Sequence, residues 1–120
     1  MGGHGTWFLG ATYPDKWAAI APCAGYPTLK GYGSADGLIP DSAADKTGQM
    51  LLRSSNQSDV IKLARNYKGL GVYIFHGDSD RVVSVDYARQ MRNILGDFHP
   101  DMSYYEYPGG EHWFGAISVD

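Results

Sequence analysis

The apolar run at 72–75, Val-Tyr-Ile-Phe, constrains the fold of this chain more than any other stretch. It begins after Gly71 and ends at His76-Gly77, and runs of this kind are typical of strands buried on both faces of a parallel sheet. The acidic loop 78–80, Asp-Ser-Asp, follows directly and therefore lies at the carboxyl end of the strand. Because open α/β sheets place their chemistry at that edge, the run predicts an α/β fold with a candidate site in this loop.

A second loop, at 107–113, carries a histidine. Its sequence, Tyr-Pro-Gly-Gly-Glu-His-Trp, follows a predicted strand that alternates with aromatic residues. A carboxylate after one strand and a histidine after the next can form a base and the group that orients it. We interpret Asp80 as the acid and His112 as the general base. The alternative for Asp78 and Asp80 is that they only form and cap a turn, and this structural role is expected more for Asp78 than for Asp80. The alternative for His112 is that it is a surface residue packed on Trp113.

The remaining periodicity predicts a parallel sheet of about three strands with flanking helices, in a single domain spanning 1–120. The predicted elements are a helix from Gly5 to Tyr13 ended by Pro14, a strand at 17–25, an ordered loop at 26–40, a helix from Asp41 or Ser42 to Arg53, a helix from Ser58, a helix at 84–95 ended at Gly96, and a strand at 102–107. The predicted core faces of the helices consist of Trp7, Phe8, Leu9 and Ala11; Ala43, Met50 and Leu51; Val60, Ile61, Leu63 and Ala64; and Val85, Ala88, Met91, Ile94 and Leu95.

Composition excludes several classes of function. A hydrophobic fraction of 43% and a charged fraction of 19% are typical of a globular chain. A net charge of −3 gives no basic surface for nucleic acid, and no apolar run is long enough to cross a membrane. The single cysteine, Cys23, excludes an internal disulfide and leaves the compartment undetermined.

The other polar candidates have simpler interpretations. His76 is expected to hold the loop at a strand end, His99 to be solvated, and His4 has no assigned role. A metal site built from His4, His76 and His112 lacks any ligand spacing that supports it, so no cofactor is predicted. Cys23 is expected to be a small buried residue, and neither Thr6 nor Ser34 has the turn sequence of a nucleophile.

Three motifs together resemble one family. The segment 1–7, Met-Gly-Gly-His-Gly-Thr-Trp, followed by Tyr-Pro-Asp at 13–15 and Ala-Pro at 21–22, is similar to the region after the nucleophile turn of prolyl-oligopeptidase-like peptidases and esterases. These belong to the α/β-hydrolase superfamily, in which the turn commonly reads Gly-x-Ser-Met-Gly-Gly. The segment 76–83, His-Gly-x-x-Asp-x-x-Val, resembles the family's acid loop, and 107–113 resembles its histidine loop. The chain therefore resembles the carboxyl-terminal half of such an enzyme.

The resemblance implies serine-hydrolase chemistry on small esters or peptides, with Asp80 and His112 as acid and base. It places the nucleophilic serine one position before Met1, outside this chain, and gives the amide of Met1 to the oxyanion hole. Two hypotheses follow. The chain is either part of a serine hydrolase that is weak or inactive by itself, or an inactive half-hydrolase that acts as a binding or assembly module. In either case, the strand edge at 17–23 is expected to pair with a second copy, which gives a homodimer or a larger species.

Overall fold

A three-stranded parallel sheet forms the centre of the protein. The computed structural model describes residues 1–29 and 45–113. Within them the strands β1 (Ala19–Ile20), β2 (Gly71–Gly77) and β3 (Met102–Tyr107) lie in the order β1-β2-β3. Both pairings are parallel, so the predicted α/β fold with a parallel sheet is confirmed.

The two pairings differ greatly in length. β2 and β3 pair along the whole of β3, from Val72 opposite Met102 to Gly77 opposite Tyr107. β1 contributes only Ala19 and Ile20, followed by an isolated bridge from Cys23 to Phe75. The prediction of one strand over 17–25 was therefore too long. The ladder is interrupted at Pro22, which has no N–H to donate, although its carbonyl still accepts from the amide of Phe75 at 3.2 Å.

Helices near the two ends of the described chain, at 2–12 and 86–96, pack on one face of the sheet. The α-helices are α1 (Gly2–Thr12), α2 (Lys46–Ser55) and α3 (Asp86–Gly96), and short 3₁₀ turns occupy Pro14–Lys16, Asn56–Ser58 and Ala64–Gly69. Within the described ranges no helix is long and apolar enough to cross a membrane. Helices α1 and α3 form the core together with the segment 60–70, and its buried side chains are Trp7, Ala11, Ile20, Val60, Ala64, Tyr67, Leu70, Val72, Ile74, Ala88, Met91 and Leu95.

The opposite face of the sheet is partly open, so β2 is not buried on both faces as its sequence predicts. Tyr73 is 45% exposed and Tyr105 is 46% exposed, because the described helices cover only the other face. Phe75 is nevertheless buried on this side, since the ring of Tyr105 stacks on it with centroids 5.8 Å apart and Tyr107 lies against it at 6.4 Å. The aromatic residues of this face therefore cover one another.

The region before β2 differs most from its prediction. Helix α2 begins after Asp45, whose side chain accepts from the Gly48 amide at 2.6 Å, and Met50 and Leu51 point into solvent instead of the core. The predicted start at Asp41 or Ser42, and Ala43, lie outside the described residues.

Between Ser58 and β2 the chain forms turns and a 3₁₀ helix instead of the predicted α-helix. The amide of Val60 donates to Pro27 at 3.0 Å, so it is not available to a helical ladder. The predicted core residues of this segment are correct, however: Val60 and Ala64 are buried, and Ile61 and Leu63 pack against the core.

The other helices agree more closely with expectation. Helix α1 buries Trp7 and Ala11 but leaves Leu9 exposed and Phe8 half-buried, and α3 buries Ala88, Met91 and Leu95. The predicted loop 26–40 is described only up to residue 29. There Tyr26 is buried, and its hydroxyl donates to the Val82 carbonyl at 2.9 Å.

Tyr67, in the 3₁₀ turn Ala64–Gly69, connects this turn to α1. Its hydroxyl donates to the Trp7 carbonyl at 2.5 Å, its ring meets Trp7 edge to face, and burial raises the pKa of Tyr67 far above its usual range. We expect Tyr67→Phe to lower the free energy of unfolding by about 1 kcal/mol, because a neutral hydrogen bond of roughly that worth is lost. Urea unfolding measures the change. Tyr73→Phe on the open face is the control, and an equal loss in both variants would contradict the assignment.

Candidate active site

The acid loop holds the Asp80 carboxylate with backbone amides. The N–H groups of Val82 and Val83 both donate to Asp80 Oδ1 at 2.8 Å. This arrangement arises locally, because an aspartate in a tight turn accepts from amides two and three residues ahead. The Asp80 side chain is 0% exposed, so the turn fixes a buried carboxylate immediately after β2.

The structure brings Asp80 and His112 together. The Nδ1 of His112 lies 2.8 Å from Asp80 Oδ2, and because a carboxylate only accepts, Nδ1 carries the proton. Within residues 1–29 and 45–113, Nε2 of His112 has no hydrogen-bond partner. The ring of Trp113 is exposed and meets the His112 ring edge to face, with centroids 4.8 Å apart. The imidazole is therefore oriented by the carboxylate, with its second nitrogen available.

Backbone contacts join the two loops to each other. The amides of Asp78 and Ser79 donate to the carbonyls of Tyr107 and Gly110 at 3.1 and 3.0 Å. Asp78 adds a bond from the Gly109 amide to its Oδ1 at 2.7 Å, so it has the structural role expected of it. These bonds continue the β2–β3 ladder beyond the strands and hold the loop of His112 beside the loop of Asp80.

A cavity of about 380 Å³ lies beside the histidine. Its lining residues are Met1, Gly2, Gly3, Thr6, Ala21, Cys23, Ala24, His112 and Trp113. Met1 precedes α1 as its N-cap, so the first amides of this helix, which have no partner within the helix, lie at the cavity. The partial positive charge of a helix N-terminus favours negative charge at such a place. Among the described residues that line the cavity there is no serine, and Thr6 carries the only hydroxyl side chain.

The charge states of Asp80 and Cys23 differ. Burial by itself would raise the pKa of Asp80, but the amides of Val83 and Val82 and the His112 side chain outweigh it and lower that pKa. The pKa of Cys23 is raised, first by burial and then by the negative charge of Asp80. Cys23 therefore stays a thiol although it shares the cavity with His112, a proximity that its sequence position did not reveal.

The remaining histidines have structural partners. His4 is buried, with Nδ1 2.8 Å from the Tyr26 carbonyl, and His76 lies at the end of β2 with Nε2 3.0 Å from the Val83 carbonyl. The prediction that His99 is solvated was wrong. It is half-buried because Nε2 lies 2.8 Å from the Tyr67 carbonyl and Nδ1 accepts from the Asp101 amide. In the described part of the chain, no group of three His, Cys, Asp or Glu residues could hold a metal ion.

Close glycine contacts support the site, and sequence reasoning missed their function. A Cβ on Gly77 would lie 2.2 Å from the Gly110 carbonyl oxygen, so the loops approach at a distance that a side chain would prevent. Gly3 and Gly25 make a similar contact, in which a Cβ on Gly25 would lie 2.3 Å from the Gly3 carbonyl carbon. The paired glycines at 2–3 and 109–110 were the available signal.

The lowered pKa of Asp80 generates a pH prediction. A carboxyl group with a lowered folded-state pKa contributes stability above its unfolded pKa, and that stability is lost as the pH falls through the folded pKa. We expect Asp80→Asn to be less stable than the wild type at neutral pH, and the difference to shrink as the pH falls below about 4. Urea unfolding across this range tests it. Asp15→Asn is the control, because its exposed ion pair contributes little. A difference for Asp80→Asn that does not change with pH would contradict the prediction.

Solved structures that share the fold include esterases and peptidases. The chain superposes on a putative dipeptidyl aminopeptidase IV from Bacteroides ovatus with a TM-score of 0.70 at 17% identity, over 93% of this chain and 15% of that one. It superposes on Est1E from Butyrivibrio proteoclasticus with a TM-score of 0.62 at 21% identity, over 92% and 49%. A puromycin-hydrolysing peptidase of Mycobacterium tuberculosis gives 0.66 at 20% identity, over 92% and 17%.

One curated relative is more similar in sequence. An uncharacterised secreted protein of Arthroderma benhamiae is 35% identical over 97% of this chain, which spans only 12% of that relative's length. No protein-family model matches the chain. The likeness to solved structures confirms the fold that the three motifs imply: the chain has the fold of a carboxyl-terminal half of an α/β-hydrolase.

Proposed function

We propose that this chain supplies the acid and the base of serine-hydrolase chemistry on esters or peptides, with Asp80 orienting His112. The contact between Asp80 Oδ2 and His112 Nδ1 carries the proposal, because it leaves Nε2 free beside a cavity that the start of α1 also borders. Esterases and peptidases among the structural neighbours support the reaction class.

The proposed nucleophile is a serine outside this chain, at the position before Met1. A residue there would adjoin Met1, which is the N-cap of α1 and lines the same cavity as His112. None of the described residues that line the cavity is a serine, and the raised pKa of Cys23, due to burial and the charge of Asp80, makes its thiol a poor substitute.

Each proposed residue has a defined task in this scheme. The serine oxygen attacks the substrate carbonyl while its proton passes to His112 Nε2, and the leaving alcohol or amine then takes that proton. Water attacks the resulting acyl-serine and gives a proton to the same nitrogen, which returns it to the departing serine oxygen. Asp80 stays ionised throughout and stabilises the imidazolium. The amide of Met1 and the positive end of α1 would face the oxyanion.

The first test adds the proposed serine. We expect the chain alone to hydrolyse p-nitrophenyl acetate no faster than its His112→Ala variant, since removing a triad nucleophile costs roughly 10⁶-fold. A serine-extended chain, which carries Gly-Ala-Ser directly before Met1, should react with a fluorophosphonate at that serine. His112→Ala should slow this labelling about 10²- to 10⁴-fold, the usual contribution of a general base.

The controls are an extension ending in alanine and the variant Glu111→Ala, a change at an exposed neighbour of His112. Labelling of the serine-extended chain that is unaffected by His112→Ala would reject His112 as the base. Saturable hydrolysis by the unextended chain that disappears in His112→Ala would reject the external serine, and Cys23→Ser would then identify or exclude the cysteine.

The open edge of β1 favours a second candidate, an assembly module that is catalytically inactive. Among the described residues β1 pairs on one side only, with β2, and Trp17, Ala18 and Ala19 beside this edge are exposed. An unpaired strand edge recruits other strands, and two-fold symmetry pairs the edge with itself in antiparallel fashion. In this candidate two copies associate through the 17–23 edge and the sheet continues across the interface.

This candidate predicts a mass of about twice 13.1 kDa by light scattering at micromolar concentration. Ala19→Pro should shift the species to monomer. The Ala18 carbonyl accepts from the Gly71 amide within the sheet, so by strand alternation the N–H of Ala19 points to the open edge, and proline removes it. Leu51→Asp, at an exposed apolar residue of α2, is the control and should leave the mass unchanged. A folded wild-type monomer would eliminate this candidate.

A further inference from the structure

We propose that His76 is a positioning residue that holds the Asp80 carboxylate, and through it His112, in the arrangement that the proposed hydrolase chemistry needs. The inference rests on that proposed function for its catalytic consequence, but its structural part stands on the geometry alone. His76 is the last residue of β2 that has a side chain, since Gly77 and then the acidic loop 78–80 follow it, and it is 1% exposed.

Two acceptors meet the Nε2 atom of His76. The Val83 carbonyl oxygen lies 3.0 Å away, and Asp80 Oδ2 lies 3.2 Å away. A carbonyl and an ionised carboxylate both only accept, so the proton of His76 is on Nε2. The N–H is aligned with Val83, and the carboxylate oxygen lies beside the same proton.

The contact to Val83 connects the loop to the sheet. Val83 supplies one of the two amides that hold Asp80 Oδ1, and its carbonyl is the group that His76 binds. Because His76 belongs to β2, which pairs with β3 along its length, this bond fixes the turn to the most extensively paired part of the structure. Loss of the bond removes the link between the Val83 end of the turn and β2.

The contact to Asp80 involves the carboxylate oxygen that also contacts His112. Oδ2 is the oxygen that accepts from His112 Nδ1 at 2.8 Å, so the two imidazoles approach one oxygen, His76 from the buried side and His112 from the side of the cavity. With Oδ1 held by two amides and Oδ2 between two N–H groups, rotation of the carboxylate would break several contacts at once. His76 therefore determines where the acceptor for His112 lies.

The inference can be tested by NMR on the full chain. In the wild type, the ring nitrogen shifts should show His76 as the Nε2–H tautomer, and the Nδ1–H proton of His112 should give a resolved downfield signal. His76→Leu, which fills the buried position with an apolar side chain and removes the donor, should broaden or abolish that signal through faster exchange with water. His76→Gln, whose amide N–H can reach the Val83 carbonyl, should restore it.

A role in stability alone would give a different result. Tyr67→Phe, a core change away from the site, is the comparison: it should lower stability without altering the His112 signal. If a folded His76→Leu variant keeps the wild-type Nδ1–H signal, His76 has no positioning role. If His76→Leu does not fold, the wild-type tautomer still decides, because a proton on Nδ1 of His76 would overturn the proposal.

The catalytic consequence has its own readout. In the serine-extended chain, His76→Leu should slow fluorophosphonate labelling about 10- to 100-fold, in the range expected for a misplaced catalytic group, and His76→Gln should recover most of the rate. Loss of the NMR signal without a change in a His112-dependent labelling rate would refute the catalytic part. If the serine-extended wild type is not labelled at all, the proposed function fails, and the NMR result still decides whether His76 positions the pair.

Discussion

The parallel pairing of β2 with β3 is the interaction on which the candidate site depends. It runs from Val72 opposite Met102 to Gly77 opposite Tyr107, so both strands end at the same level. Parallel strands deliver their following loops to one edge, and here those loops carry Asp80 and His112. A slip of one residue would move one loop by about 3.3 Å and turn its strand over, which is more than a hydrogen bond tolerates. The register of the sheet therefore sets the distance between the two side chains.

The carboxylate between the loops represents a balance of opposing effects. Burial of a charge is unfavourable unless it is paired and hydrogen-bonded, and Asp80 is wholly buried. Two amides and the His112 N–H more than offset that penalty, so the group is held in its ionised form. The same negative charge helps to keep Cys23 as a thiol. One buried group thus orients the histidine and disfavours ionisation of the neighbouring thiol.

Local sequence predicted the elements whose residues depend mainly on their neighbours in the chain. The run ending at Phe75 is a strand, the alternating run at 102–107 is the next strand, and α3 lies where its periodicity indicates. The sequence also predicted that Asp80 and His112 share one edge, because strand order and loop position suffice for this, whereas their roles remain proposals.

The predictions that were wrong concerned residues whose structure depends on contacts between distant parts of the chain. The amide of Val60 donates to the Pro27 carbonyl, and His99 forms a hydrogen bond with the Tyr67 carbonyl. Neither partner can be identified from a local sequence pattern. Tyr73 is apolar enough to be buried, yet no described element covers its face of the sheet. The shared cavity of Cys23 and His112 requires β1 to lie beside β2, which only the folded sheet specifies.

The contact between Gly77 and Gly110 makes loop length a fixed quantity. The Gly110 carbonyl oxygen lies 2.2 Å from where a Cβ of Gly77 would be, and it also accepts from the Ser79 amide. The two loops are therefore fixed to each other at this contact. The number of residues from Gly110 to His112, and from Gly77 to Asp80, then determines how far each side chain lies from that contact. An added or deleted residue in either segment would displace one side chain from the other while leaving the sheet intact. The contact between Asp80 and His112 therefore requires that the lengths of both segments stay unchanged.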